Sequence, residues 1–132
     1  MTPQDKELVQ TSFAKVAPIA PAAADLFYKR LFEIDPKLQV LFKGDMAEQG
    51  RKLMSMIGYV VANLHRLEEL LPAIKDLARR HAGYGVVARD YDTVGAALLW
   101  TLEKGLGADF TPATRAAWTT TYGGLTKIML SA

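Results

Sequence analysis

The chain has 132 residues and a mass of 14.5 kDa; half of its residues are hydrophobic, 23% are charged, the net charge is +2 and the mean hydropathy is +0.06. That length predicts one domain over residues 1–132, and the composition excludes a disordered polar chain, which buries too little apolar surface to offset its ordering entropy. The scattered basic residues argue against nucleic acid as a partner, and the absence of Cys excludes a disulfide framework, a thiolate metal site and a thiol nucleophile.

Apolar residues recur at three- and four-residue spacings throughout, which predicts helices and no strand. Thr2, Pro3 and Asp5 open the first, expected over 3–17, and prolines at 18 and 21 separate it from a second over 21–34. Asp35 before Pro36 opens a short helix over 36–42. A long one follows over 46–67, carrying Leu53, Ile57, Val60, Val61 and Leu64 on its apolar side. The next spans 72–82 and is stopped by Gly83 and Gly85. A helix over 91–106 ends at Gly105 and Gly107, and Thr111 before Pro112 opens the last, over 112–130. The fold class is all-α, and the helices 46–67 and 112–130 are expected to be buried on wide faces. No stretch reaches the roughly 20 apolar residues of a membrane span, and the N-terminus has no leader-like pattern, so the expected location is cytoplasmic with no membrane partner.

The motifs of common hydrolases and nucleotide-binding enzymes are absent: there is no G-x-S-x-G, H-E-x-x-H, P-loop or G-x-G-x-x-G. Glu68 and Glu69 are adjacent and point apart on a helix, which does not suit paired acid–base work. Any chemistry is therefore borrowed from a cofactor. Two histidines remain. His65 sits beside Arg66, Glu68 and Glu69 and reads as a solvated surface residue. His81 lies four residues after Leu77 and three after Ala78, on the apolar face of its helix. It is either a core histidine with one nitrogen satisfied or the ligand of a metal in apolar surroundings, as haem iron is, with a carbonyl near Leu77 holding the other nitrogen.

The run FEIDPKLQVLFKG, with Pro36 six residues before Phe42, the isolated His81, and the stretch GYGVVARDYDTVGAALLWTLEKGLGADFTPATRAAWTTTYGGL together resemble the globins, of the single-domain bacterial haemoglobin and neuroglobin kind, over residues 2–130. The resemblance implies a three-over-three helical sandwich around haem b, with a short or absent fourth helix. His81 matches the histidine that binds the iron, and Phe42 the phenylalanine that packs on the porphyrin. In MAEQGRKLMSMIG, Gln49 stands where many globins have histidine, and Leu53 shares its face. Tyr28 matches a position on the second helix that faces the same side. Tyr28 and Gln49 are thus expected to donate hydrogen bonds to one bound gas ligand, and Lys52 to meet a haem propionate. Leu53, Ile57, Leu77, Arg80, Val86, Tyr91, Val94 and Tyr122 complete the expected cofactor-binding set.

Departures from the family pattern carry expectations too. His65 follows Gln49 by sixteen residues, roughly 24 Å along a helix, so a second histidine ligand is not expected. The short, Cys-free stretch between Phe42 and Gln49 excludes a redox-switched loop. The sequence ends at Ala132, before the position of a glutamate that in some bacterial haemoglobins supports the iron-bound histidine, which leaves Tyr122 without that partner. Trp100 and Trp118 are expected to pack. The implied function is tight, reversible binding of dioxygen for storage, transport or scavenging. The alternatives are a nitric oxide dioxygenase served by a separate reductase, a weak peroxidase and a haem-based gas sensor. Nitric oxide, carbon monoxide and sulfide are further possible ligands.

Overall fold

The computed structural model describes residues 1–42 and 44–131. Among them there are helices and no strands, as the periodicity predicts. Helix α1 is Pro3–Val16; the Asp5 amide donates to the Thr2 hydroxyl and the Thr2 amide to the Asp5 carboxylate, a reciprocal cap. After a 3-10 turn at Ala17–Ile19, α2 runs Ala20–Ile34 with a proline in its first turn. Asp35 accepts from the Lys37 amide at 3.1 Å and starts the segment Pro36–Leu41. That segment is a 3-10 turn and not the short α-helix expected over 36–42.

Helix α3 is Met46–Ala62, started by Asp45, whose carboxylate accepts from the Ala47 amide at 2.9 Å. The expected helix over 46–67 overshoots by five residues. Asn63 ends it by turning its side chain onto the backbone: Nδ2 donates to the Tyr59 carbonyl at 2.7 Å, and Oδ1 accepts from Arg66 Nε at 2.6 Å. Arg66 leaves helical geometry at φ −136°, and Leu64–Leu70 continues as a 3-10 segment that carries the exposed His65. Apolar spacing continues through Leu64 and Leu67, which is why periodicity alone misses the break.

Helix α4 is Leu71–Gly83, α5 is Ala88–Leu106, and α6 is Pro112–Leu130 after a 3-10 turn at Gly107–Asp109. Helix α5 begins three residues before the expected Tyr91, because the Asp90 carboxylate accepts from the Val87 amide at 2.9 Å and satisfies an end group that a helix cannot satisfy itself. Helix α6 matches its expected span.

Helices α1 and α6 pack along each other, as do α2 and α5, while α3 lies across α1 and α2. Their main core joins Val9, Val16, Ala23, Val61, Leu64, Leu102, Leu106, Ala117 and Trp118. Within it Trp118 Nε1 donates at 2.8 Å to the Ser12 hydroxyl, which in turn donates to the Leu8 carbonyl at 2.6 Å, so neither buried polar group is left unpaired. The expected packing role of Trp118 is met. The wide burial expected of α3 is not: Val61 and Gly50 are buried, whereas Leu53, Met54, Ile57 and Val60 are only half buried.

Helix α3 meets α2 tightly at Gly50, where a Cβ would stand 2.9 Å from that of Ala24. Neither partner can rotate away, since both atoms are fixed by helical backbone. Gly50→Val is expected to destabilise the protein by about 1–3 kcal/mol through overpacking, with a matching fall in the urea midpoint. An unchanged midpoint would mean that the helices separate freely at this crossing.

Candidate functional site

The core is divided. One apolar cluster holds Phe27, Tyr28, Leu31, Leu38 and Ala97, with Phe32, Leu41, Phe42, Met46, Leu53, Val94 and Leu98 packed against it. Another holds Leu70, Ile74, Ala78 and Met129, with Leu67, Leu77, Tyr91, Leu125 and Ile128. Helix α4 packs on α6 and on Leu64–Leu70, and among the described residues it has few contacts with α3 or α5. Leu41, Phe42, Leu53, Val94 and Leu98 of the first cluster and Leu77 of the second are each left half buried, as are Ile57, packed on the main core, and Val86. Leaving so many apolar side chains partly wet costs about 25 cal/mol per Å² of apolar surface, a cost that an apolar group placed among them would remove.

On the α4 side stands His81, half buried in the helix's last turn. Its Nδ1 lies 2.8 Å from the Leu77 carbonyl, one turn earlier. A carbonyl accepts and does not donate, so Nδ1 carries the proton and Nε2 keeps a lone pair for a ligand bond. The chain turns sharply after it: the amides of Tyr84 and Val86 both donate to the His81 carbonyl, and Gly85 takes φ +96°, a conformation that side chains other than glycine rarely adopt. Among the described residues no group of three or more His, Cys, Asp or Glu side chains gathers to hold a metal ion. One imidazole does not retain a bare ion, but it suits a metal that arrives in a planar ring with its own in-plane ligands, and the half-buried apolar walls suit such a ring.

On the other side, Tyr28 is buried and its ring packs against Phe27 and Phe42 at 5.2 Å and Phe32 at 6.1 Å. Phe42 in turn meets Phe32 edge-on at 5.5 Å, so a four-ring cluster holds the tyrosine in place. The Tyr28 hydroxyl donates to the backbone carbonyl of Gln49 at 3.3 Å, long for an O–H···O bond, whose usual length is about 2.7–2.8 Å. Burial pushes its pKa up to about 12, which keeps the phenol protonated. Tyr28 and Gln49 are thus brought together, through the main chain of α3, and Leu53 follows Gln49 by one turn.

The remaining expected residues divide. Val94 is packed in the cluster with Tyr28, while Leu77 and Tyr91 are packed in that of α4. Lys52 is exposed, and Arg80 pairs with Asp76 at 3.3 Å on the surface of α4. Tyr122 lies across Gly95, where a Cβ would meet its ring at 2.7 Å, and donates to the Tyr91 carbonyl at 2.6 Å. Its hydroxyl is committed there and not to His81. Burial, with Tyr91 and Asp92 nearby, raises its pKa to about 12. Leu98 and Leu41 were not expected at the division. Leu98 was findable, since it follows Val94 by one helical turn on the same face. Leu41 was not, because it lies in a 3-10 turn whose register differs from the helix expected there.

A model of the family described as Globin matches residues 25–129. The chain is 31% identical over 132 residues to the flavohemoprotein of Rhizobium meliloti (strain 1021), covering 98% of this chain and 33% of that protein. It therefore spans about a third of that relative. It is also 29% identical over 143 residues to the neuroglobin of Danio rerio, covering 98% of this chain and 90% of the relative. The neuroglobin of Dissostichus mawsoni is 29% identical over 136 residues, covering 92% of this chain and 86% of the relative.

Proposed function

The chain belongs to the globin family, whose common activity is haem-based gas binding, and from that premise we propose that it is a b-type haem protein that binds dioxygen reversibly and tightly. The observations that carry this reading are the oriented imidazole of His81 among half-buried apolar side chains and, in a separate cluster of the core, Tyr28 held beside Gln49. Haem b is favoured over a covalently attached haem because the sequence has no Cys to form thioether links.

When bound, haem supplies the iron that takes the gas. His81 would hold that iron through Nε2, with the Leu77 carbonyl fixing the tautomer. Phe42, Leu53, Ile57, Leu77, Val86, Tyr91 and Val94 would enclose the ring and exclude water, and Lys52 and Arg80, both exposed, would be the cations to meet its propionates. Tyr28 and Gln49 donate toward a ligand that gathers negative charge on its outer atom, which favours dioxygen over carbon monoxide. The long Tyr28 bond to the Gln49 carbonyl is one the hydroxyl exchanges readily for such a ligand.

The environment of His81 favours binding over peroxide cleavage. Its partner is a neutral carbonyl and not a carboxylate, and Tyr122 is turned away toward Tyr91. A second reading, nitric oxide dioxygenation fed by a reductase, draws on the 31% identity to a flavohemoprotein. Among the described residues no helix is long and apolar enough to cross a membrane. The test is the absorption spectrum of the reconstituted protein. A ferrous form that is five-coordinate and shifts with carbon monoxide is expected. A ferrous form already six-coordinate would mean that an internal side chain such as Lys52 occupies the gas position, and failure to retain haem would overturn the reading.

A further inference from the structure

Where α4 turns into α5, large apolar side chains face solvent along one seam: Val40 is 71% exposed, Tyr84 63% and Val87 53%. The seam is continuous because the segment Pro36–Leu41 abuts the turn, with the Leu41 side chain 3.7 Å from the position a Gly85 Cβ would take. Val40 and Tyr84 are the chain neighbours of that contact. Exposed apolar residues gathered in one place mark an interaction surface far more often than the same residues scattered singly.

The charges around the seam are unequal in what they offer to solvent. The carboxylates beside its two segments serve as helix caps: Asp35 accepts from the Lys37 amide and Asp90 from the Val87 amide. Each of these negative charges faces the positive end of a helix. The exposed cations Lys37 and Arg89, which lie in the two segments of the seam, have no ion-pair partner among the described residues. The result is an apolar strip with a cationic rim, which is complementary to an acidic protein surface with an apolar centre.

Resting on the haem reading above, we propose that the seam between residues 37–42 and 84–89 is the docking surface for an acidic electron-donor protein. Its position suits the task. The Tyr84 ring lies 6.3 Å from that of His81, so a donor seated on Tyr84 and Val87 is brought beside the imidazole that holds the iron. One electron would pass from the reduced donor, which is oxidised by one unit, to ferric iron held by His81, which would become ferrous.

The test uses the haem-loaded protein and reduced flavodoxin, a strongly acidic one-electron donor, as the probe. The second-order reduction rate is expected to fall about tenfold between roughly 10 and 300 mM salt, as screening removes the attraction. The double substitution Lys37→Glu, Arg89→Glu should lower the low-salt rate by a similar factor, while reduction by an uncharged free flavin stays the same. Lys15→Glu with Lys104→Glu changes the net charge equally, and Lys104 lies fifteen residues along α5 from Arg89, roughly 22 Å away; it should leave the rate near its original value. A readout independent of iron is the amide chemical-shift change on adding flavodoxin, expected to cluster at Val40, Tyr84 and Val87. A salt-independent rate, equal losses in the two double variants or shifts clustered elsewhere would overturn the proposal, as would binding to vesicles of anionic lipid but not to flavodoxin. If the protein retains no haem, the functional reading fails, and the shift map still decides the docking surface.

Discussion

Tyr28→Phe is expected to speed dioxygen release from the ferrous protein by about ten- to a hundredfold. A hydrogen bond to a charged or strongly polarised acceptor contributes about 1.5–3 kcal/mol, and each 1.4 kcal/mol is a factor of ten. The substitution isolates that bond, because the phenylalanine ring keeps the contacts with Phe27, Phe32 and Phe42 that hold the tyrosine in place. Carbon monoxide, which gathers less charge, should leave at nearly the original rate. The pH dependence has a definite sign. Burial raises the Tyr28 pKa to about 12, so the donor keeps its proton through neutral and mildly alkaline solution, and the release rate of the unmodified protein should be flat there. Flash photolysis or stopped-flow mixing measures all three quantities. A dioxygen release rate unchanged by Tyr28→Phe would remove Tyr28 from the gas site.

His81→Gly should have the largest effect of any single substitution, because the described residues offer no second histidine near the division of the core. Haem loss to an acceptor protein is expected to accelerate by roughly a hundredfold or more, equivalent to about 2.7 kcal/mol. Helix α4 itself should survive, since Ile74 and Ala78 remain packed with Leu70 and Met129. Free imidazole added to the variant should restore the spectrum, because the cavity left by the ring is open to a molecule of the same shape and basicity. Retention of haem with an unaltered spectrum would show that another side chain serves as the ligand. Loss of helical circular dichroism would instead indicate a structural histidine.

The helices were legible wherever a cap and a periodic face agreed. Thr111 before Pro112 marked the start of α6, and Thr2 with Asp5 the start of α1, to the residue. Errors arose where side chains compete with the backbone or supply its missing partners. Asn63 breaks α3 while Leu64 and Leu67 continue the pattern, and Asp90 draws the start of α5 back to Ala88. The expected tether of His81 to a carbonyl near Leu77 is present, because an i to i−4 reach from the last helical turn is set by local geometry. The direction of the Tyr122 hydroxyl was not legible. It depends on Gly95 letting the ring lie flat on α5, a contact between helices that no spacing within either one encodes.

The bond from Trp118 to Ser12 spans 106 positions of the chain, and the helices that carry it are the ones packed along each other over the main core. A chain emerging from the ribosome therefore holds α1 through α5 for some time with the apolar face of α1 lacking its principal cover. Closing a loop of that length costs entropy before the contact rewards it, so the slow event in maturation should be the arrival of α6. Until then the growing chain presents Val9, Val16 and Phe13 to chaperones, and the core that shapes the site is not yet assembled.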